Sequence, residues 1–274
     1  GGLRATRTMR ELLSLSGSTP TPPAFDSDAA GFLTRAGLTQ ESTEGQAIEA
    51  LTLTLKSGAL WDDAVALYPI VGGTNDAHSH NLKSSSYQIS WVGAPVSSAS
   101  GIRSDGSAYG LTGITRADIR PAWSTAFYQT ELGSGGFDMV ISSYLNPVGG
   151  SPNEHSMYDA ATTSFVRFSE GVDSIAVASG GDDTGLSVAT CDSTTGRLYR
   201  RTTQLGSDLA ITNSTALDGT AEYGVLARWN GATASLHFDK NIAFIAFYAA
   251  DISSKVAALN SAIETFQTAL GRNA

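Results

Sequence analysis

The stretch that decides the fold runs from 223 to 250 and reads YGVLARWNGATASLHFDKNIAFIAFYAA. Asn230-Gly231, near its middle, strongly favours a two-residue hairpin turn, because both residues tolerate positive φ angles. The flanking segments 223–229 and 235–238 are therefore predicted to form paired strands. The run 242–248 is apolar throughout, which is typical of a central strand covered on both faces. The stretch predicts a largely antiparallel β-protein.

Strand-length runs continue upstream of this stretch and are separated by turn-forming residues. Thr195-Gly196 is interpreted as a further hairpin turn. No repeat of 20–50 residues is found, so the pattern does not indicate a solenoid or a propeller. The candidate strands are 87–92, 124–130, 137–144, 165–168, 174–178, 186–189 and 197–202.

Residues 25–68 have a helical period and are predicted to form a small helical lead-in. The first helix is expected to begin at Asp26 or Ser27 and to end at Gly37, and the second is expected to begin at Thr39. A third short helical turn is predicted before Pro69. The apolar positions that carry these predictions are Phe32, Leu33, Ile48, Leu51, Leu55, Trp61, Val65 and Tyr68.

The chain closes with one clear amphipathic helix. Its apolar residues recur at intervals of three and four, which places them on one stripe that packs on the sheet or forms an oligomer seam. Asp251 or Ser253 is expected to cap its start, and Gly271 marks its end. The stripe consists of Ile252, Val256, Leu259, Ile263, Phe266 and Leu270.

Composition restricts the possible partners. The net charge is −9 and only 16% of the 274 residues are charged, which argues against binding to nucleic acid or to an anionic membrane. No apolar run reaches the length of about 20 residues that spans a bilayer. Cys191 is the only cysteine, so no intramolecular disulfide forms, and its interpretation is a small buried apolar residue.

Residues 1–24 are interpreted as an N-terminal arm or linker. Three prolines between Ser16 and Pro23 favour an extended chain. The arm is either a solvated tail or an anchor on another subunit, and its leucines favour the anchor. The residues assigned to attachment are Arg4, Arg7, Arg10, Leu12, Leu13 and Leu15.

Two segments resemble a known family. The first contains Leu60-Trp61, Tyr68-Pro69, 71–74 (VGGT) and 80–83 (HNLK); the second is the 223–250 stretch with the closing helix. Together they cover about a third of the chain and resemble bacteriophage virion and tail proteins with a laminin-G-like, concanavalin A-like jelly-roll domain. The resemblance implies a two-sheet antiparallel jelly-roll sandwich over 69–274, with the helical lead-in before it and the C-terminal helix after it.

The same resemblance implies a location on the surface of a phage particle, with other virion proteins as partners and a homo-oligomer, such as a trimer, or a repeated array. Our preferred hypothesis is a non-enzymatic virion component of a tail, a fibre or a capsid decoration. The alternative is a carbohydrate-binding module that recognises a host-surface glycan. A glycan hydrolase is the least favoured reading, because no closely spaced acidic pattern is present.

Trp91, Trp123 and Tyr128 are the candidate glycan-binding residues, since aromatic rings stack on sugars. The competing interpretation places them in the sandwich core.

No catalytic group, metal site or cofactor is predicted. Asp76, His78 and His80 would share one face of a strand, but they follow a glycine-rich loop. Glu154-His155 is interpreted as part of a Gly/Pro loop, and His237 with Asp239 as a structural pair. Asp182-Asp183 is interpreted as a turn, with a calcium loop as the alternative.

Overall fold

The computed structural model describes residues 24–132, 138–145, 153–160, 163–168, 173–178, 184–211 and 220–273. This part of the chain contains five α-helices and seventeen strands. The helices are α1 (Ser27–Ala36), α2 (Thr43–Ser57), α3 (Asn75–Ser79), α4 (Arg116–Ile119) and α5 (Val256–Ala269). Among these residues, no helix combines the length and the apolar character needed to cross a membrane.

The strands fall into two large antiparallel sheets and one short hairpin. They are β1 (Ala64–Tyr68), β2 (Ser90–Val92), β3 (Val96–Ser98), β4 (Gly101–Arg103), β5 (Tyr109–Thr115), β6 (Trp123–Gln129), β7 (Asp138–Leu145), β8 (Asn153–Ala160), β9 (Thr163–Arg167), β10 (Ser174–Ala178), β11 (Gly185–Cys191), β12 (Thr195–Arg200), β13 (Thr203–Ala210), β14 (Glu222–Val225), β15 (Arg228–Trp229), β16 (Ala234–Ser235) and β17 (Ile242–Tyr248).

The order of the strands gives a two-sheet sandwich. The eight-stranded sheet runs β13-β12-β11-β6-β17-β4-β3, with β1 also paired to β17, and the seven-stranded sheet runs β10-β9-β8-β7-β14-β5-β2. The 223–250 prediction is confirmed in part, because Asn230-Gly231 lies in the turn between β15 and β16 and β17 is a central strand buried at every residue. The turn spans four residues, 230–233, and not two, and the predicted strand 223–229 is divided between β14, which pairs in the seven-stranded sheet, and β15. The mainly β jelly-roll fold with helices at both ends is confirmed.

Two apolar layers lie on opposite faces of the eight-stranded sheet. The layer between the two sheets includes Phe127, Ile245 and Phe247. The layer beyond the eight-stranded sheet includes Tyr128 and Phe244 together with α1, α2 and α5. Side chains alternate in direction along a strand, so β6 and β17 supply residues to both layers, and β17 is apolar apart from the Tyr248 hydroxyl. The helices therefore cover one outer face of the sandwich.

Helix boundaries follow local hydrogen bonds. Asp26 caps α1 as predicted, and Gly37 ends it with a φ of 68°. The predicted start of α2 at Thr39 is wrong, since the Ser42 hydroxyl caps α2 by accepting from the Gly45 amide. A Cβ at Gly45 would lie 2.1 Å from the Thr39 carbonyl oxygen, so the turn before α2 depends on this glycine.

Two further predictions are wrong. The third helical turn before Pro69 is instead strand β1, which pairs with β17 because its residues alternate between the two apolar layers. The sheet thus includes a strand from inside the predicted lead-in. Thr195-Gly196 begins β12, and the turn lies earlier because Asp192 accepts from the amides of Thr194 and Thr195.

The closing helix packs where its stripe predicts. Ile252, Leu259 and Ile263 are buried against the eight-stranded sheet. A short 3₁₀ turn over Ser253–Lys255 precedes α5, so the regular helix begins a few residues later than its first apolar position. Beyond the helix, the Arg272 guanidinium donates to the carbonyl of Ile70 at 2.7 Å and fixes the end of the chain to the lead-in.

Candidate functional site

The outer face of the seven-stranded sheet lies on the side of the sandwich opposite the helices. His155 on β8 points into the sandwich, where its ring lies 3.7 Å from that of Trp123. Its neighbour Glu154 therefore points outward. The register pairs Glu154 with Tyr144 on β7 and Ser156 with Arg167 on β9, so these side chains belong to one patch of the outer face.

A cleft of about 310 Å³ opens on this face, and we refer to it as the outer cleft. The hairpin β15–β16 and the segment after it form one wall, because Arg228 and Leu236 come from there. Strands β7, β8 and β9 supply the rest. The lining residues are Met139, Glu154, Tyr158, Arg167, Arg228 and Leu236.

Glu154 is the electrostatic centre of the outer cleft. Its side chain is fully buried, and its Oε2 accepts from Arg167 at 2.6 Å and from Arg228 at 3.3 Å. Its Oε1 is also buried but has no hydrogen-bond partner among the described residues. Burying a carboxylate oxygen without a donor is costly. The floor of the cleft therefore offers an acceptor that a bound molecule could satisfy.

Arg228 joins this centre to the cleft mouth. Its guanidinium carbon lies 3.9 Å from the centre of the Tyr144 ring, which is a cation–π contact. Its side chain is 26% exposed, although its Nε is buried without a hydrogen-bond partner among the described residues. Burial raises the pKa of Tyr158 to about 12, so its hydroxyl stays protonated at neutral pH.

Tyr109 and Trp229 form an aromatic pair at the β15–β16 hairpin. The rings of Tyr109 and Trp229 stack with centroids 5.5 Å apart. The Trp229 amide donates to Ser142 Oγ at 2.8 Å, which fixes β15 on β7. Gly224 lies beneath the indole, and a Cβ there would lie 2.6 Å from the Cβ of Trp229.

Replacing Gly224 by alanine is expected to displace Trp229 and to lower the free energy of unfolding by about 2 kcal/mol, as other overpacked sites do. Urea unfolding measures the loss, and tryptophan fluorescence reports the displaced ring. Gly31→Ala on α1 is the control, because its Cβ meets only the flexible end of Arg35. An unfolding midpoint equal to that of the wild type in Gly224→Ala would contradict this packing.

The predicted aromatic glycan site is wrong for Trp123 and Tyr128. Trp123 is 3% exposed in the layer between the sheets, and Tyr128 is fully buried beneath the helices. Both lie on β6, a central strand whose two faces are covered. Trp91 is partly buried, and its Nε1 donates to the Asn75 carbonyl at 2.8 Å. The three rings do not form one platform.

The remaining candidates have structural contacts. Asp76 and His78 lie on helix α3, which Thr74 caps, and His80 follows its last residue, so the three do not share one face of a strand. His78 is buried with Nδ1 3.1 Å from Ser97 Oγ, whereas His80 lies 3.9 Å from Asp76. Within the described part of the chain, no three His, Cys, Asp or Glu side chains converge as metal ligands. Asp182-Asp183 and residues 1–23 of the arm lie outside the described residues.

Glu154-His155 lies on strand β8, so the predicted loop is wrong. The two side chains point to opposite faces and form no catalytic pair. His155 Nδ1 contacts the Tyr223 hydroxyl in the sandwich interior, and burial, with Arg116 and Arg120 nearby, holds its pKa well below the ordinary value. His237 Nδ1 donates to the Ala108 carbonyl at 3.2 Å. Cys191 is buried as predicted, and burial raises the pKa of its thiol to about 11.

Sequence reasoning did not find the outer cleft. The only available signals were an arginine in an otherwise aromatic and aliphatic strand, Arg167, and the pair Arg228-Trp229 directly before the hairpin turn. Neither signal points to Glu154 without the register of β8 and β9.

Comparison with known proteins supports the fold. No family model and no curated protein match the chain. A mutant Trypanosoma rangeli sialidase displaying trans-sialidase activity aligns with a TM-score of 0.53 at 11% identity, covering 81% of this chain and 39% of the sialidase. Domain 4 of AbnA, a GH43 extracellular arabinanase from Geobacillus stearothermophilus, in complex with arabinotriose, gives 0.49 at 11% identity over 72% of this chain and 98% of that domain. CBM40 of the Ruminococcus gnavus IT-sialidase, bound to alpha2,3 sialyllactose, gives 0.43 at 10% identity over 55% and 92%.

Proposed function

We propose that this chain is a non-enzymatic carbohydrate-binding module and that the outer cleft is its binding site. The observation that carries the proposal is the arrangement around Glu154. One carboxylate oxygen is held by two guanidinium groups, and the other has no donor in the part of the chain that the structure describes. A sugar matches this arrangement, because it presents hydroxyl groups that donate and accept at neighbouring positions.

The charges in the outer cleft favour a polyol over a simple anion. An anion would be attracted by Arg228 but would bring no proton to Glu154 Oε1. A sugar hydroxyl donates to Oε1 and its neighbour accepts from Arg228. Glu154 is the one carboxylate among the described residues that line the outer cleft, whereas glycoside hydrolysis ordinarily uses a pair of carboxyl groups. This supports binding over hydrolysis.

The direct test is a glycan array probed with the wild type and with Arg228→Met. Methionine keeps the bulk of the side chain but loses the charged donors. Glycan signal is expected to fall by at least about tenfold, the value of one charge-assisted hydrogen bond. Arg103→Met is the matched control, since Arg103 is an exposed residue on β4 of the other sheet. The proposal fails if the wild type binds no glycan or if both variants bind alike.

Mass spectrometry of the glycans that bind distinguishes a binding module from an enzyme. Incubation of each bound glycan with the protein, followed by mass spectrometry, is expected to recover the intact glycan. Cleavage that Glu154→Gln abolishes would replace the binding proposal with a hydrolase.

We also propose the setting that the family resemblance implies, a module displayed on a phage particle as a homo-oligomer. The position of the start of the described chain supports it. Phe25, close to the start of the described residues, packs in the helical layer on the side of the sandwich opposite the outer cleft. Cryo-electron microscopy of the particle, asking whether residues 1–24 contact other virion proteins, tests this setting.

A further inference from the structure

We infer that the outer cleft selects a sugar that carries an N-acetyl group. This inference rests on the proposed function and names the class of ligand for the same site. It follows from the cleft having one polar wall and one apolar wall, with an unused acceptor between them.

The polar wall supplies one donor and one acceptor. The Arg228 side chain lines the cleft and is partly exposed, and its guanidinium contacts the Tyr144 ring. Glu154 Oε1 is buried and has no donor among the described residues. An amide group matches both, because its carbonyl accepts from the guanidinium and its N–H donates to the carboxylate. A hydroxyl group can also accept from the guanidinium and donate to the carboxylate, but it brings no methyl group to the apolar wall of the cleft.

The apolar wall lies in the same cleft. Leu236 is 41% exposed, which is unusual for a leucine in this protein, and Met139 is buried beside it. The Met139 amide donates to the Leu236 carbonyl at 3.0 Å, so the two residues are fixed relative to each other. A methyl group that packs on this pair would remove apolar surface from water. An acetamido group carries its methyl next to its amide, as the two walls require.

The size of the cleft agrees with a single sugar ring. Its volume of about 310 Å³ is at the lower end of the range for small-molecule sites. Leu236 has a φ of 52°, a conformation that is uncommon for a non-glycine residue and costly to maintain. The fold therefore keeps Leu236 at the cleft mouth, although its exposure to water and its positive φ are both unfavourable.

The test compares matched sugars by isothermal titration calorimetry: methyl glycosides of N-acetylglucosamine and glucose, and of N-acetylgalactosamine and galactose. We expect the N-acetylated member of at least one pair to bind about tenfold more tightly, from one hydrogen bond and one buried methyl group. Leu236→Ala is expected to reduce this preference to threefold or less, because the acetamido methyl loses its apolar contact. Leu132→Ala, at another exposed leucine, should keep the full preference.

Equal affinities within both pairs would overturn the inference, and so would a preference that survives in Leu236→Ala. These outcomes leave the proposed function standing, because plain sugars would still bind in an Arg228-dependent way. Binding to neither member of either pair also overturns the inference, and the glycan array then decides whether carbohydrate binding fails with it.

Discussion

Replacing Asn81 by alanine is expected to lower the free energy of unfolding by about 4 kcal/mol, because two buried amides lose their acceptor. Asn81 is 1% exposed. Its Oδ1 accepts from the amides of Leu67 at 2.9 Å and Lys83 at 3.0 Å, and its Nδ2 donates to the Ser86 carbonyl at 3.1 Å. An alanine offers none of these partners and leaves β1 connected to the loop after α3 by the hydrogen bond from the Leu82 amide to the Leu67 carbonyl.

Urea denaturation followed by circular dichroism measures this loss. Asn273→Ala is the matched control, because Asn273 is exposed near the end of the described chain and should change stability by less than about 0.5 kcal/mol. A loss below about 1 kcal/mol in Asn81→Ala would show that water replaces the side chain.

Lys83, two residues after Asn81, connects two parts of the motif on which the family resemblance rests. The Lys83 ammonium donates to the Trp61 carbonyl at 2.6 Å and lies 4.8 Å from the centre of the Trp61 ring, and Lys56 lies at the same distance from that ring. The Leu60-Trp61 and Asn81-Leu82-Lys83 parts of the motif therefore contact each other. The motif describes how the lead-in is fastened to the sheet and not where a ligand binds.

Lowering the pH from 7 to 4 is expected to remove about 3 kcal/mol of stability through His78 alone. Burial lowers the pKa of His78 to about 4, and the nearby Arg272 guanidinium adds to this effect. In the unfolded chain the imidazole has its ordinary pKa of 6.5. Below that pH the unfolded state binds a proton that the folded state does not, so this contribution is complete above pH 6.5 and is lost as the pH falls to about 4.

The measurement is a series of urea unfolding curves between pH 7 and pH 4 for the wild type and for His78→Gln. Carboxylates and His155 contribute to both proteins, so the difference between the two slopes isolates His78. We expect the variant to be less stable at pH 7 and to lose less stability with acid. Parallel slopes would mean that the pKa of His78 is not lowered in the folded state.

The fold could be predicted from the sequence because its signals are local. Asn230-Gly231 fixes a hairpin, the apolar run Ile242–Tyr248 requires cover on both faces, and the spacing of the closing helix gives one stripe. Strand β1 could not be predicted, because Trp61, Val65 and Tyr68 fit a helical period as well as they fit a strand. Its pairing with β17, nearly two hundred residues later in the chain, makes this segment a strand.

The candidate site could not be predicted because it depends on strand register. Glu154, Arg167 and Arg228 come from β8, β9 and β15, and only the pairing of Ser156 with Arg167 and the position of the hairpin on β7 bring them together. The aromatic candidates failed for a related reason. Trp123 and Tyr128 lie on β6, and the polar residues of this strand hide the fact that both of its faces are covered.

The division of the sandwich into one covered face and one open face has a consequence for affinity. A molecule held through its helical side directs the outer cleft away from whatever holds it, and neighbouring copies held in the same way direct their clefts in the same direction. Several weak contacts to one glycan-coated surface would then act together, since each bound copy raises the effective concentration for the next. If the outer cleft binds a single sugar as proposed, weak single contacts would together give firm attachment, and each contact could still be released.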